Sequence, residues 1–152
     1  MRRALFDSSP VEAPLATDED GRLLGRYVLR NGSGLDVWRH RGANGRVSAS
    51  EIRTLRRGLR HGFEWWLFGR QLSSETHFID GKLHGIERSW GVSGKLDRGY
   101  PRYWVNDSRV TKRQYVVAAR EDRSLPPFHE RDNRTKRSLP ARVRAEIERY
   151  SA

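Results

Sequence analysis

Two histidines stand at matched places in the chain. Gly58-Leu59-Arg60-His61-Gly62 and Gly81-Lys82-Leu83-His84-Gly85 align residue by residue, 23 positions apart. A metal site would need three or four converging ligands. No local carboxylate set completes one, so His61 and His84 are expected to be turn residues that pack on the preceding leucine and bond backbone. Asp36, Glu64 and Glu87 also occupy equivalent positions, two residues after Gly34, Gly62 and Gly85. Paired carboxylates can do acid–base work. The simpler expectation is an acidic row on one face of a sheet, hydrated, with ordinary pKa values and arginine partners on adjacent strands. Gly-x-Ser-x-Gly, His-Glu-x-x-His and phosphate-loop patterns do not occur, and Gly32-Ser33-Gly34 lacks the third glycine of a nucleotide fingerprint. The expectation is therefore a protein with no catalytic residue, no cofactor and no metal.

The elements that would position these residues follow from glycine. All 14 glycines lie between Gly21 and Gly99. Glycine accepts positive φ without steric cost and so marks tight turns. With Gly34, Gly62 and Gly85 in register, the following residues are Leu35-Asp36-Val37-Trp38, Phe63-Glu64-Trp65-Trp66 and Ile86-Glu87-Arg88-Ser89. A fourth, degenerate copy is expected from Gly99, with Tyr100-Pro101-Arg102-Tyr103-Trp104. Each copy is long enough for one β-hairpin, with return segments at Glu51–Arg57 and Glu75–Asp80. Turns are expected near Gly32, Gly45, Gly58, Gly69, Gly81 and Gly94. A lone hairpin cannot bury its apolar face, whereas stacked hairpins can.

Strand side chains alternate between faces. Counted from each repeat glycine, one face collects Leu35, Val37, Arg39, Phe63, Trp65, Leu67, Ile86, Arg88 and Trp90. The other mixes Asp36, Glu64 and Glu87 with Trp38 and Trp66, and the same count places Tyr103 there. Trp, Tyr and Arg dominate protein interface hot spots. Trp38, Trp66, Tyr103, Glu64 and Glu87 are therefore the candidate partner-binding residues, unless a flanking segment of the chain covers that face.

Asp80-Gly81-Lys82-Leu83-His84-Gly85, followed by Trp90 and Gly94-Lys95-Leu96, resembles the bacterial variant of the MORN repeat, as in YwqK-family antitoxin-like proteins. The resemblance spans about residues 20–105. It implies tandem antiparallel hairpins in an elongated open sheet, a bacterial protein, and a toxin-neutralising or immunity role. It supplies no catalytic residue.

Residues 1–20 are expected to form a partly disordered N-terminal arm, and residues 21–105 the hairpin repeat domain. Residues 106–152 are built differently. Asn106-Asp107 is a hairpin turn signal. Thr111-Lys112-Arg113-Gln114 has the form of a capping box, with Val110 and Tyr115 as a hydrophobic staple. It predicts a helix near 112–120. Pro140 with Val143, Ile147 and Tyr150 predicts an amphipathic helix near 140–150. The two helices are expected to cap the array. The fold class is mainly β.

Composition narrows the function classes. The chain has 152 residues, no cysteine and a formal net charge of +11. Disulfide scaffolds and thiolate-ligated metals are excluded. No apolar run approaches the roughly 20 residues of a membrane span. The start lacks a signal-peptide apolar region, so a cytoplasmic location is expected. Arginine supplies 26 of the 30 basic residues, and the positive charge is spread over residues 21–152. Two partner classes remain. A protein, such as a toxin, fits the aromatic face. Nucleic acid or an acidic membrane surface fits the arginine-rich charge. No small-molecule substrate is expected.

Overall fold

The computed structural model describes residues 22–30, 33–41, 44–137 and 139–149, with residues 22–30 and 41 described at the level of the backbone. Among the described residues nine antiparallel strands form one sheet: β1 Arg22–Arg30, β2 Ser33–Arg41, β3 Val47–Arg56, β4 Leu59–Phe68, β5 Gln71–Ile79, β6 Lys82–Leu83, β7 Gly85–Ser89, β8 Arg102–Val105 and β9 Ser108–Val110. Their order is β1-β2-β3-β4-β5-β7-β8-β9, with β6 paired to β5, so the chain meanders with each hairpin added beside the last. Residues 50–100 contain no helix. Gly45, Gly58, Gly69, Gly81 and Gly94 all sit in turns at positive φ. The turn expected at Gly32 and the arm expected over 1–20 lie outside the described residues.

The repeat has a structural signature. Arg57-Gly58, Asp80-Gly81 and Asn106-Asp107 are equivalent two-residue turns with both φ angles positive, as tight hairpins with right-twisted strands require. The first residue of each turn donates its backbone N–H to the side chain that precedes an earlier repeat glycine. Arg57 N–H bonds Ser33 Oγ (3.1 Å), Asp80 N–H bonds His61 Nδ1 (3.2 Å) and Asn106 N–H bonds His84 Nδ1 (3.1 Å). The histidines thus bond backbone, as the repeat position implied, although His61 lies within β4 and not in a turn. Beside the two histidine clamps the neighbouring return strand leans on the glycine. A Cβ on Gly62 would come within 3.3 Å of Thr54, and one on Gly85 within 2.6 Å of His77.

These equivalences correct the fourth copy. The turn at 106–107 matches those at 57–58 and 80–81, so β8 is the return strand of the third copy and Gly99 starts no new one. The intervening residues loop out, with Trp90 bridging Leu96.

The inner face of the sheet holds the core. Leu35, Val37, Ala49, Ile52, Trp65, Leu67, Leu72 and Trp90 pack with Val143 and Ile147 of helix α2, Ala141–Arg149. Ile86 and Tyr103 pack with Leu125 and with Tyr115 of helix α1, Lys112–Glu121. The Thr111 capping box forms in full, and Val110 packs in the same cluster as Tyr115. Helix α1 therefore closes the last strands, while α2 returns to lie against β3. A 3₁₀ turn, Glu130–Asn133, joins them. No described helix is long and apolar enough to cross a membrane.

Candidate binding surface

The outer face of the sheet carries charge and aromatic rings in two cross-strand rows. Asp36 pairs with Arg53, Arg53 with Glu64, and Glu64 with Thr76. One step along the strands, Trp38 pairs with Glu51, Glu51 with Trp66, and Trp66 with Ser74. Residues paired across a ladder share a face, so these side chains form one continuous patch.

Within the patch each repeat carboxylate holds an indole. Trp38 Nε1 donates to Asp36 Oδ2 (3.2 Å), Trp66 Nε1 to Glu64 Oε1 (3.3 Å) and Trp104 Nε1 to Glu87 Oε1 (3.3 Å). Arg53 bonds Glu51, which is fully buried, and Arg60 lies 3.2 Å from Glu64 Oε2. The arginines lie over rings in turn: Arg53 over Trp38 at 5.5 Å, and Arg60 over Phe78 at 5.2 Å.

This burial overturns the expectation of hydrated carboxylates. Asp36 and Glu64 are each 6% exposed. Large rings and stacked guanidiniums cover them, which a sheet with small outward residues would not do. Burial pushes the Asp36 carboxyl above its ordinary range. Glu64 is raised to about 7, first by burial and then by its hydrogen bond with Glu51, with Arg60 and Arg53 opposing. Arginine pairing across strands is observed, as expected of an acidic row.

Trp38 and Glu87 are half-buried on this face, Glu64 is buried, and Trp66 is 39% exposed. Tyr103 is not on it. It pairs with Ile86, is 8% exposed, and packs against Tyr115 on the inner face. The alternation count ran from Gly99 across Tyr100 and Pro101, which are not strand, and so lost its parity. Trp104 takes the place assigned to Tyr103. Counting back from the Asn106-Asp107 turn, in register with Asp80-Gly81, would have found it.

A carboxylic acid titrating near neutrality suits proton transfer. Here it lines none of the clefts at residues 101–114, 93–136 and 131–137. Instead the arrangement fixes ring positions. His84, Asp122 and Ser124 offer the residue types of a hydrolytic triad. His84 Nε2 lies 3.2 Å from Asp122 Oδ2 and 3.0 Å from Ser124 Oγ. But Nδ1 accepts the Asn106 N–H, so the proton sits on Nε2 and faces both partners. The ring cannot take the serine proton, and the cluster ties β6 and β7 to the end of α1.

Another buried carboxylate, Glu75, lies on the inner face. Glu75, fully buried, accepts from Trp65 Nε1 (2.8 Å), Arg88 Nη1 (3.1 Å) and Arg137 Nη1 (2.6 Å). No protein-family description, curated protein or solved structure matches this chain.

Proposed function

We propose that the chain is a non-enzymatic binding protein whose outer sheet face docks a protein partner, with Trp66 as its anchor. The observation that supports this reading most is one of exposure. Trp66 is 39% and Phe68 is 72% exposed. They lie close together on β4, while the chain's own helices cover the opposite face. The exposed Trp66 ring, held by its bond to buried Glu64, loses little conformational freedom on binding, which is the character of a hot spot. The resemblance to MORN-variant antitoxins supports a toxin as the partner and a neutralising role.

A second reading has its own observation. Arg131, Arg134, Lys136 and Arg137 line one cleft with Asp132 as its only acidic wall. That basic segment favours an acidic polymer, nucleic acid or an anionic membrane surface.

The test is Trp66→Ser, with stability and partner affinity measured on the same preparation. Ser89 faces Ser74 across the next ladder where Trp66 faces it from β4, so the sheet accepts serine at such a place. A docking role predicts near-normal unfolding and at least about 2 kcal/mol of lost affinity. The same pair of measurements on a variant lacking residues 1–20 separates a partner from the chain's own arm. Salt separates the two readings, because phosphate-polymer binding weakens steeply with ionic strength and an aromatic interface does not. Equal loss of folding and binding in Trp66→Ser would make Trp66 a packing residue and remove the interface.

A further inference from the structure

Beyond the aromatic patch, the sheet ends in a cationic cleft. A cavity of about 480 Å³ opens between β8, β9 and the start of α1, with Arg102, Arg109, Lys112, Thr111 and Gln114 in its walls and no carboxylate among its lining residues. Trp104 pairs with Arg109, so Arg109 lies diagonal to Arg102 on one face, within reach of a shared ligand. Aromatic rings position two of the cations. The Arg102 guanidinium stands 4.3 Å from the Tyr100 ring centroid, and Lys112 Nζ stands 4.3 Å from that of Phe128. Among the described residues none of the three cations forms an ion pair. Glu87, directly across the ladder from Arg102, accepts the Trp104 indole. Arg102 Nε is buried with no hydrogen-bond partner.

This arrangement carries an electrostatic cost. Three basic residues line one cavity without a carboxylate among them, and the first turn of α1 adds Arg113 and contains no acid. Cations there oppose the helix dipole. Thr111 and Gln114 already bond each other's backbone in the capping box, so they do not neutralise it. An anion of two or more charges would. We propose that this cleft binds a phosphate group, with Arg102 and Arg109 as directional donors and Lys112 as a point charge. The group can come from a small free phosphate compound or from the backbone of a nucleic-acid strand; the chemistry at the cleft is the same. The site is independent of the docking face, and Trp66→Ser leaves it unchanged.

The experiment titrates the full chain with inorganic pyrophosphate, and separately with a short oligothymidylate, by calorimetry. Arg109 and Lys112 are exposed, so Arg109→Gln and Lys112→Gln preserve folding. Each is expected to weaken binding about tenfold, the scale of one charge-assisted hydrogen bond. Arg113→Gln removes the same charge from a residue that does not line the cleft and should weaken binding less than either, since it takes away field but no direct hydrogen bond. Lys112→Gln should leave the melting temperature of the empty protein equal or higher, since it removes a cation from a helix start. Binding of pyrophosphate identifies a small-ligand source. Binding of the oligonucleotide alone, with the same order of variants, identifies a strand. Equal losses in Arg113→Gln and Arg109→Gln, or no binding of either probe, overturn the site.

Discussion

Burial takes the Glu64 carboxyl out of water and its hydrogen bond with Glu51 adds to that, against Arg60 and Arg53, so its charge is conditional on pH. The native carboxyl keeps its proton up to about pH 7, whereas an ordinary one releases it near 4.5. Between those values the folded state binds a proton that the unfolded state has lost. Stability therefore falls as pH rises through this window and levels off above it. The full contribution is at most about 3 kcal/mol for such a shift. Asp36, also raised by burial, acts in the same direction. Asp122 is lowered by its bonds from Ser124, so its contribution is lost only on acidification below the ordinary carboxylate range. Denaturant unfolding of the wild-type protein and Glu64→Gln at about pH 5 and about pH 8 checks this. The variant should lose little at low pH and match or exceed wild type at high pH, because glutamine keeps the Trp66 bond without the charge. A difference between the two proteins that does not change with pH would remove Glu64 as the titrating group. The raised value was not legible in the sequence. The spacing of Asp36, Glu64 and Glu87 put them on one face, but their burial depends on Trp38, Trp66, Arg53 and Arg60 lying over them, which spacing does not encode.

The hairpins were legible because their determinants are local. Glycine position, the Asn106-Asp107 turn and the Thr111 capping box are each settled within a few residues, and each formed as the residues implied. Tyr103 and Trp104 exchanged faces because β8 is set by pairing with β7, seventeen residues away at Ile86–Tyr103, and not by the nearest glycine. The clamp from His84 to the Asn106 turn was likewise invisible beyond the expectation of a backbone bond. It gives a direct prediction. His84→Ala removes the acceptor of the Asn106 N–H and the link to Asp122 and Ser124, and should cost about 2 kcal/mol, as a lost bond at a buried site does. Gly85→Ala should cost more, since its Cβ would meet the body of His77 at 2.6 Å and its φ is +153°. Thr111→Ala should cost about 1 kcal/mol through the N-cap alone. Equilibrium unfolding ranks the three; a harmless Gly85→Ala would mean that the return strand can shift, and that the glycine does not set the stacking of copies.

The molecule holds together across its length by returning its C-terminal segment over the sheet that precedes it. Leu139, Val143 and Ile147 join the core cluster built by β2 to β5, and Arg137 reaches Glu75 over 62 residues of chain. Val143 and Ile147 contribute roughly 1.5–3 kcal/mol each through burial, and partly buried Leu139 adds to them, a large share of the stability of a small domain, about 5–15 kcal/mol. Removal of residues 138–152 is therefore expected to expose Val37, Ile52 and Trp65, abolish a cooperative melt and promote aggregation. The ionic tie is separable from this. Glu75→Ala leaves the apolar contacts in place but strands Arg88, which is 3% exposed, and Arg137 without their shared carboxylate. Breaking one partner of a buried pair costs about 3–5 kcal/mol, more than the pair's net worth. Adding Arg137→Met should not restore the loss, because Arg88 remains buried and charged; a further Arg88→Met should recover part of it, the buried Trp65 indole N–H still lacking its acceptor. Chemical denaturation of this series, with light scattering on the truncated chain, decides between the two ties. A truncated protein that stays monomeric and melts as before would show that the hairpins bury enough among themselves, and that the last helix is an appendage on a sheet able to stand alone.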